Sequence, residues 1–406
     1  MNANARELAA RFDIEKLTGE FYADPFPTYR ALREQEPVKR MPNGSYFLTR
    51  YDDLLTAYKN TKVFSSDKKK EFAPKYGASL LYDHHTTSLV FNDPPAHTRV
   101  RRLIMGALSP RAIAEMEPNL IALVDRLLDA LADKGDADLI EDFAAAIPIE
   151  VIGNLLGVPQ QERGPLRGWS LAILGALEPV IGTEVFTRGN NAVREFLDYL
   201  EILVGRRRAK PGNPERDVLT RLIQGEENGE RLTEKELLHN CIFLLNAGHE
   251  TTTNLIGNGL VALSENPTER KRLIENPALI KSAVEEVLRF ESSNQFGNRM
   301  TTERVELGGV TLEAGTSVTL CIGAANRDPL QFADPEKFDV TRNPNRHLAF
   351  GSGAHQCAGM ALARLEGAIA LSRFLARFPA YALKGPPLRG GRARFRGFLS
   401  VPCTIG

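Results

Sequence analysis

Apolar and polar positions divide the chain into three textures. Between about residues 95 and 290, apolar residues recur at helical spacing, broken by proline and glycine at Pro148, Gly157-Val158-Pro159 and Lys210-Pro211-Gly212. The longest helix predicted there opens at Thr233-Glu234-Lys235-Glu236, a capping box, and stops at Asn266-Pro267. At a rise of about 1.5 Å per residue, its roughly thirty residues would extend about 50 Å. From about 298 to 325 the texture is β-rich, and Val305-Glu306-Leu307 and Val310-Thr311-Leu312 around Gly308-Gly309 predict a hairpin. Strand-like runs also mark roughly 35–65, with Ser45-Tyr46-Phe47-Leu48, and the tail from 380 to 406. Residues from about 65 to 92 read as polar and irregular, with Lys68-Lys69-Lys70 as solvated surface. The pattern predicts a mainly α chain with a smaller β region. No Gly/Ser or Pro-rich linker divides it, so residues 1–406 read as a single domain.

Composition narrows the function classes. A chain of 406 residues, 43% hydrophobic and 25% charged, can bury a large core. Lys plus Arg and Asp plus Glu balance at 51 each, so no global charge recruits nucleic acid or an anionic membrane. The N-terminus is charged early and no long uninterrupted apolar window occurs, which predicts a cytoplasmic protein without signal peptide or anchor. Cys241, Cys321, Cys357 and Cys403 are widely spaced, against both a disulfide framework and a structural zinc site.

Candidate chemistry concentrates where local propensity conflicts with the pattern. In Phe350-Gly351-Ser352-Gly353-Ala354-His355-Gln356-Cys357-Ala358-Gly359, one cysteine lies in a glycine-rich loop just before a helical run. Its sulfur would sit near a positive helix N-terminus, which favours thiolate. A lone thiolate with closely approaching backbone suits a large planar metal cofactor, and Cys357 reads as the axial ligand of a haem iron. A buried structural cysteine competes with this reading. A nucleotide-binding loop is weaker, because Gln356 stands where that pattern needs glycine. The second conflict is Ala247-Gly248-His249-Glu250-Thr251-Thr252-Thr253 inside the long helix, where glycine costs about 1 kcal/mol and threonines compete for carbonyls. The small pair Ala247-Gly248 admits a flat ligand and a diatomic molecule, while Glu250 and Thr251 offer an acid and an alcohol for proton transfer. The bland alternative is a kink, with threonines bonded to the preceding turn and Glu250 in solvent. A further helix carries Glu286 and Arg289 at i, i+3, and Arg342 could join them in a buried structural network.

Together, in order and spacing, the cysteine loop, the interrupted helix, the Glu286-x-x-Arg289 pair and the Phe338-to-Arg342 segment resemble the cytochrome P-450 haem-thiolate monooxygenases of the soluble bacterial type. The resemblance runs from Asp24-Pro25-Phe26 to the C-terminal strands. It implies a triangular-prism-like fold with haem b, iron protoporphyrin IX, between the long helix and the cysteine-loop helix. Cys357 would be the metal ligand, with Phe350 beside it and Gly351, Gly353 and Gly359 allowing close approach. His97, Arg101, Arg299 and His355 would hold the propionates, and Glu250 and Thr251 would deliver protons for O–O cleavage. By the same analogy Phe243, Asn246, Ala247, Asn294 and Phe296 line the substrate pocket, with the Tyr82-to-Ser88 region and Leu174. Asn246 and Asn294 hint at a substrate with a polar handle, although bonds to backbone or haem edge are an equal alternative.

The activity implied is O2-dependent hydroxylation, dealkylation or epoxidation of a small to mid-sized, mainly apolar molecule by a monomer. Electrons would come from a ferredoxin or flavodoxin with its reductase, docking around Arg101, Arg102, Arg346 and Arg364. Two alternatives stay open: a haem-thiolate enzyme that uses peroxide or rearranges its substrate without partners, and a non-catalytic haem sensor.

Overall fold

The long helix is set by its two ends. Thr233 accepts from the Glu236 N–H at 3.2 Å while Glu236 Oε2 accepts from the Thr233 N–H at 2.8 Å, so two orphan donors are satisfied reciprocally. The helix then runs unbroken over Glu234–Glu265, and Pro267 begins the next one. In the computed structural model, which describes residues 3–214, 217–227 and 230–405, this helix is buried on nearly all sides. It lies inside the core with polar as well as apolar residues buried, and it packs against Ala146–Leu156, Leu166–Gly175, Thr183–Ala209, Ile280–Phe290 and Met360–Arg377. Close packing explains one of its glycines. A Cβ on Gly259 would come within 3.1 Å of Leu371 on the cysteine-loop helix Met360–Arg377.

The β-rich part forms a five-stranded sheet in the order Val38–Arg40, Tyr46–Leu48, Ser317–Cys321, Phe296–Thr301, Phe64–Ser65. Tyr46–Leu48 pairs parallel with Ser317–Cys321 and the other pairs are antiparallel. The register sets Arg299 opposite Val318, and this strand delivers both Phe296 and Arg299 to the site described below. The hairpin of Val305–Leu307 and Val310–Leu312 turns at Gly308 and Gly309, both at positive φ (58° and 79°), where glycine is preferred.

Tertiary contacts override the sequence pattern in several places. Asp136–Asp138, only three residues long and two of them charged, is a strand because Pro402–Thr404 pairs with it. Pro148 does not break a helix: it lies in the first turn of Ala146–Leu156, where its missing N–H costs nothing. Residues 65–92 are not irregular but contain the helices Lys69–Tyr76 and Leu80–Thr87. Lys68 is not solvated surface. It is 1% exposed and paired with Glu71 at 2.7 Å, whereas Lys69 and Lys70 are exposed. The chain's one tryptophan, Trp169, stacks on Phe196 at 4.9 Å between Leu166–Gly175 and Thr183–Ala209.

Candidate active site

Backbone geometry builds the cysteine loop. Gly351 and Gly353 adopt positive φ (63° and 69°), and a Cβ on Gly353 would meet the Tyr58 carbonyl oxygen at 2.5 Å. Gly359 has φ −90° and open space around its Cα, so the close approach expected there is not imposed by neighbouring protein atoms. The Cys357 N–H donates to the Phe350 carbonyl at 2.9 Å, which folds the loop onto itself and turns the side chain into a cavity of about 340 Å³. Burial pushes the Cys357 thiol up, outweighing the Gly359 N–H and the guanidiniums of Arg101 and Arg364, which pull it down. The helix N-terminus alone therefore does not give a thiolate, and a coordinated metal cation would supply the missing charge.

Cationic side chains without anions line the same cavity. Arg299 is 6% exposed, its Nη1 donates to the Asn298 carbonyl at 2.7 Å, its guanidinium lies over the Tyr58 ring, and its Nε has no partner. His97 stacks on His355 with centroids 3.9 Å apart, and neither His97 nitrogen nor His355 Nε2 has a partner. Burial and then Arg101 hold His97 down to about 4, and burial and then Arg299 lower His355. Arg101 Nη2 donates to the Gln356 carbonyl at 2.6 Å. Two imidazoles and two guanidiniums facing one cavity suit a flat ligand with two carboxylates, each of which needs such partners inside a protein. The residues present thus fit the propionates of a haem, whose iron Cys357 would hold.

The long helix separates two environments that its sequence brings together. Phe243, Asn246, Ala247, Gly248 and Thr251 line the large cavity. Thr251 Oγ1 donates to the Ala247 carbonyl at 2.6 Å and Thr253 Oγ1 to the His249 carbonyl at 3.0 Å, so these threonines do bond the preceding turn, without breaking the helix. Gly248 has an additional reason to lack a side chain, because a Cβ would sit 2.5 Å from Ile152 of the crossing helix. Glu250 is neither in solvent nor in the large cavity. It faces a second chamber of about 20 Å³ with His249, Asn254, Arg167 and Arg392, and Arg392 Nη1 donates to its Oε1 at 2.5 Å. Burial raises the Glu250 carboxyl to about 7 despite Arg392, and its Oε2 has no partner.

The network expected of Glu286, Arg289 and Arg342 is present as geometry. Arg289 grips Glu286 through two bonds of 2.8 Å, both residues are fully buried, and Arg342 Nε reaches the same carboxylate at 3.1 and 3.2 Å. None of these three lines the large cavity, in keeping with a structural role.

Of the remaining pocket expectations, Asn294, Phe296, Leu174, His84, His85 and Ser88 line the large cavity, and Tyr82 does not. Phe350 lines it too, with Arg364 over its ring at 4.7 Å. Arg364 is also held bidentate by Glu285 at 2.7 and 2.8 Å, so of the four arginines expected to dock a carrier, Arg102 and Arg346 are the exposed ones. The sequence reading missed Arg392, 142 positions from its partner, and Glu366, a fully buried carboxyl on the cysteine-loop helix that lines the cavity and is pushed up to about 8 by burial. Spacing from Cys357 could have placed Glu366 on the inner face of that helix, but nothing local marks Arg392.

Residues 175–388 match the family model described as Cytochrome P450. The chain is 35% identical over 396 residues to a biotin biosynthesis cytochrome P450 of Bacillus subtilis, covering 96% of this chain and 98% of that protein. It is 38% identical over 397 residues to the vitamin D(3) 25-hydroxylase of Pseudonocardia autotrophica, covering 96% of each. A crystal structure of P450BioI in complex with hexadec-9Z-enoic acid ligated acyl carrier protein superposes with a TM-score of 0.90 at 35% identity, covering 95% of this chain and 99% of that one.

Proposed function

This chain belongs to the cytochrome P450 family and is a haem b-binding monooxygenase, and from that premise we propose that it oxidises a C–H or C=C bond of a small to mid-sized, mainly apolar molecule, with electrons supplied by a separate ferredoxin or flavodoxin. The observation that carries the reading is that Cys357 and the long-helix residues Ala247, Gly248 and Thr251 open onto one cavity. When bound, the haem supplies reductive activation of O2 and transfer of one oxygen atom to substrate, the other leaving as water.

The chain's residues do the rest. Cys357 Sγ would hold the iron with Phe350 beside it, Arg299 and Arg101 would offset the propionate charge, and the neutral His355 and His97 imidazoles would hydrogen-bond to it. Apolar side chains such as Leu89, Leu244 and Phe243 exclude bulk water and position substrate. Thr251 Oγ1, bonded to the Ala247 carbonyl, is a hydroxyl of the cavity and can pass a proton inward by rotating. Glu250, held near neutrality's pKa, takes up protons in the rear chamber, and its carboxyl must release Arg392 to serve Thr251. An electron carrier meets the face around Cys357, where Arg102 and Arg346 are exposed.

One observation favours the alternative of direct peroxide use: Glu250 and Thr251 face different chambers, which weakens proton delivery to O2. Substrate oxidation by the purified protein with O2 and a reduced ferredoxin system, compared with hydrogen peroxide alone, decides between them. The first reading expects turnover in the ferredoxin arm that falls at least about tenfold in Thr251→Ala, within the range ascribed to a positioned proton donor. Turnover only with peroxide, unaffected by Thr251→Ala, would overturn it. A reduced carbon monoxide complex without the red-shifted Soret band of thiolate ligation would refute Cys357 as ligand.

A further inference from the structure

The long helix contains its own control for reading a buried asparagine. Asn240 and Asn258 are bonded to the backbone: Asn240 donates to the Glu236 carbonyl at 2.8 Å and accepts from the Leu89 N–H at 3.0 Å, and Asn258 Nδ2 donates to the Glu291 and Arg396 carbonyls at 3.1 Å, with only its Oδ1 left without a partner. Asn246 is as deeply buried, at 3% exposure, yet neither its Oδ1 nor its Nδ2 has a partner, and it lines the large cavity. Bonding to backbone, the ordinary use of a buried amide, is therefore excluded for this residue. On the same cavity Ser293 Oγ and Asn294 Oδ1 are also buried and unpartnered. A carboxamide left unpaired beside Phe243, Leu244 and Leu89 is costly unless a ligand completes it.

The arginines of the cavity are otherwise engaged, and Glu366, whose Oε2 has no partner, is pushed by burial toward its neutral form. Arg299 and Arg101 face the propionate positions, and the Arg394 side chain donates to the Leu177 and Phe296 carbonyls and to Asn298 Oδ1. That leaves, among the described lining residues, neutral polar atoms for a substrate rather than an ion-pair partner.

Building on the reading of this cavity as a monooxygenase substrate site, we propose that Asn246 is a specificity-determining residue that selects a mainly apolar molecule carrying an uncharged hydrogen-bonding group, a hydroxyl, ketone or amide, set against its carboxamide. A hydrocarbon of the same shape would bury the amide unpaired and be rejected.

The test uses the haem-loaded protein and matched ligand pairs, testosterone with 5α-androstane and tetradecanol with tetradecane, titrated by the low-spin to high-spin Soret change. In the wild type the oxygenated member of at least one pair should bind about tenfold tighter than its hydrocarbon, the scale of one well-made hydrogen bond plus the relief of an unpaired amide. Asn246→Leu should bring the two members to within about twofold, and Asn246→Thr, which keeps one hydroxyl and guards against misfolding of the leucine variant, should fall between. No response to any oxygenated ligand, no preference in the wild type, or an unchanged preference in both variants overturns the proposal. If the reduced carbon monoxide complex of the wild type lacks the thiolate-type Soret band, the reading of the site itself has failed. A normal band without discrimination defeats only the selection by Asn246.

Discussion

Two sets of buried polar side chains sit in one core and differ in whether they are complete. In the Glu286, Arg289 and Arg342 network the charges are cross-bonded, and Arg289 further donates to the carbonyls of Asn326, Pro335 and Lys337. Along the long helix and its cavity, Asn246, His97, Arg299 and one oxygen of Glu250 have buried atoms with no protein partner. The first set has the signature of architecture, because every desolvated group recovers its bonds within the chain. The second has the signature of a site, in which the missing partners are ligand atoms or protons in transit. Burial and charge alone would not have separated them. The inventory of satisfied atoms does.

The contrast is most severely tested by Glu286→Ala, which strands two guanidiniums in the interior. It should cost about 3–5 kcal/mol, read as a shifted urea midpoint, and leave little folded protein. A loss below about 1 kcal/mol would mean that the network is dispensable.

Next in size is the pH dependence of Glu250. Its folded value of about 7 lies above the ordinary 4.5, so the fold favours the protonated form. Stability from this group is fully present below pH 4.5 and is lost as pH rises through 7, by at most about 3 kcal/mol. Glu250→Gln, which mimics the neutral acid, should flatten urea stability between these limits. An unchanged slope would show that Arg392 keeps the carboxylate ionised.

The two asparagines give a smaller and more direct comparison. Asn258→Ala should cost about 1–3 kcal/mol by stranding the Glu291 and Arg396 carbonyls, whereas Asn246→Leu should cost less than about 0.5 kcal/mol or stabilise the ligand-free protein. Equal losses would erase the distinction on which the selectivity argument rests. The smallest effect is expected at Arg299. Arg299→Leu should leave apoprotein stability within about 1 kcal/mol while weakening haem retention, followed as transfer to apomyoglobin. Haem loss at the wild-type rate would remove Arg299 from the propionate contacts.

What was legible in the sequence had local causes. The capping box at Thr233, the stop at Asn266-Pro267 and the Gly308-Gly309 turn each depend on residues within a few positions, and each formed as read. The cysteine loop was legible because glycine spacing and one sulfur suffice to mark it. What escaped depends on distant partners. Asp136–Asp138 became a strand only through residues 402–404, Lys68 became buried through Glu71 within a packed helix cluster, and Glu250 was drawn behind its helix by Arg392. Adjacent letters such as Glu250 and Thr251 point about 100° apart on a helix, so reading them as one unit overlooked the geometry that divides them between chambers.

Trp169 is the chain's only indole, and it is wedged against Phe196 where the helix Leu166–Gly175, which brings Leu174 to the cavity, meets Thr183–Ala209. Its emission therefore comes from a single address. If admitting a bulky guest parts those helices, the rings unstack and the fluorescence shifts, giving an optical gauge of cavity opening that needs no label and no chemistry at the iron.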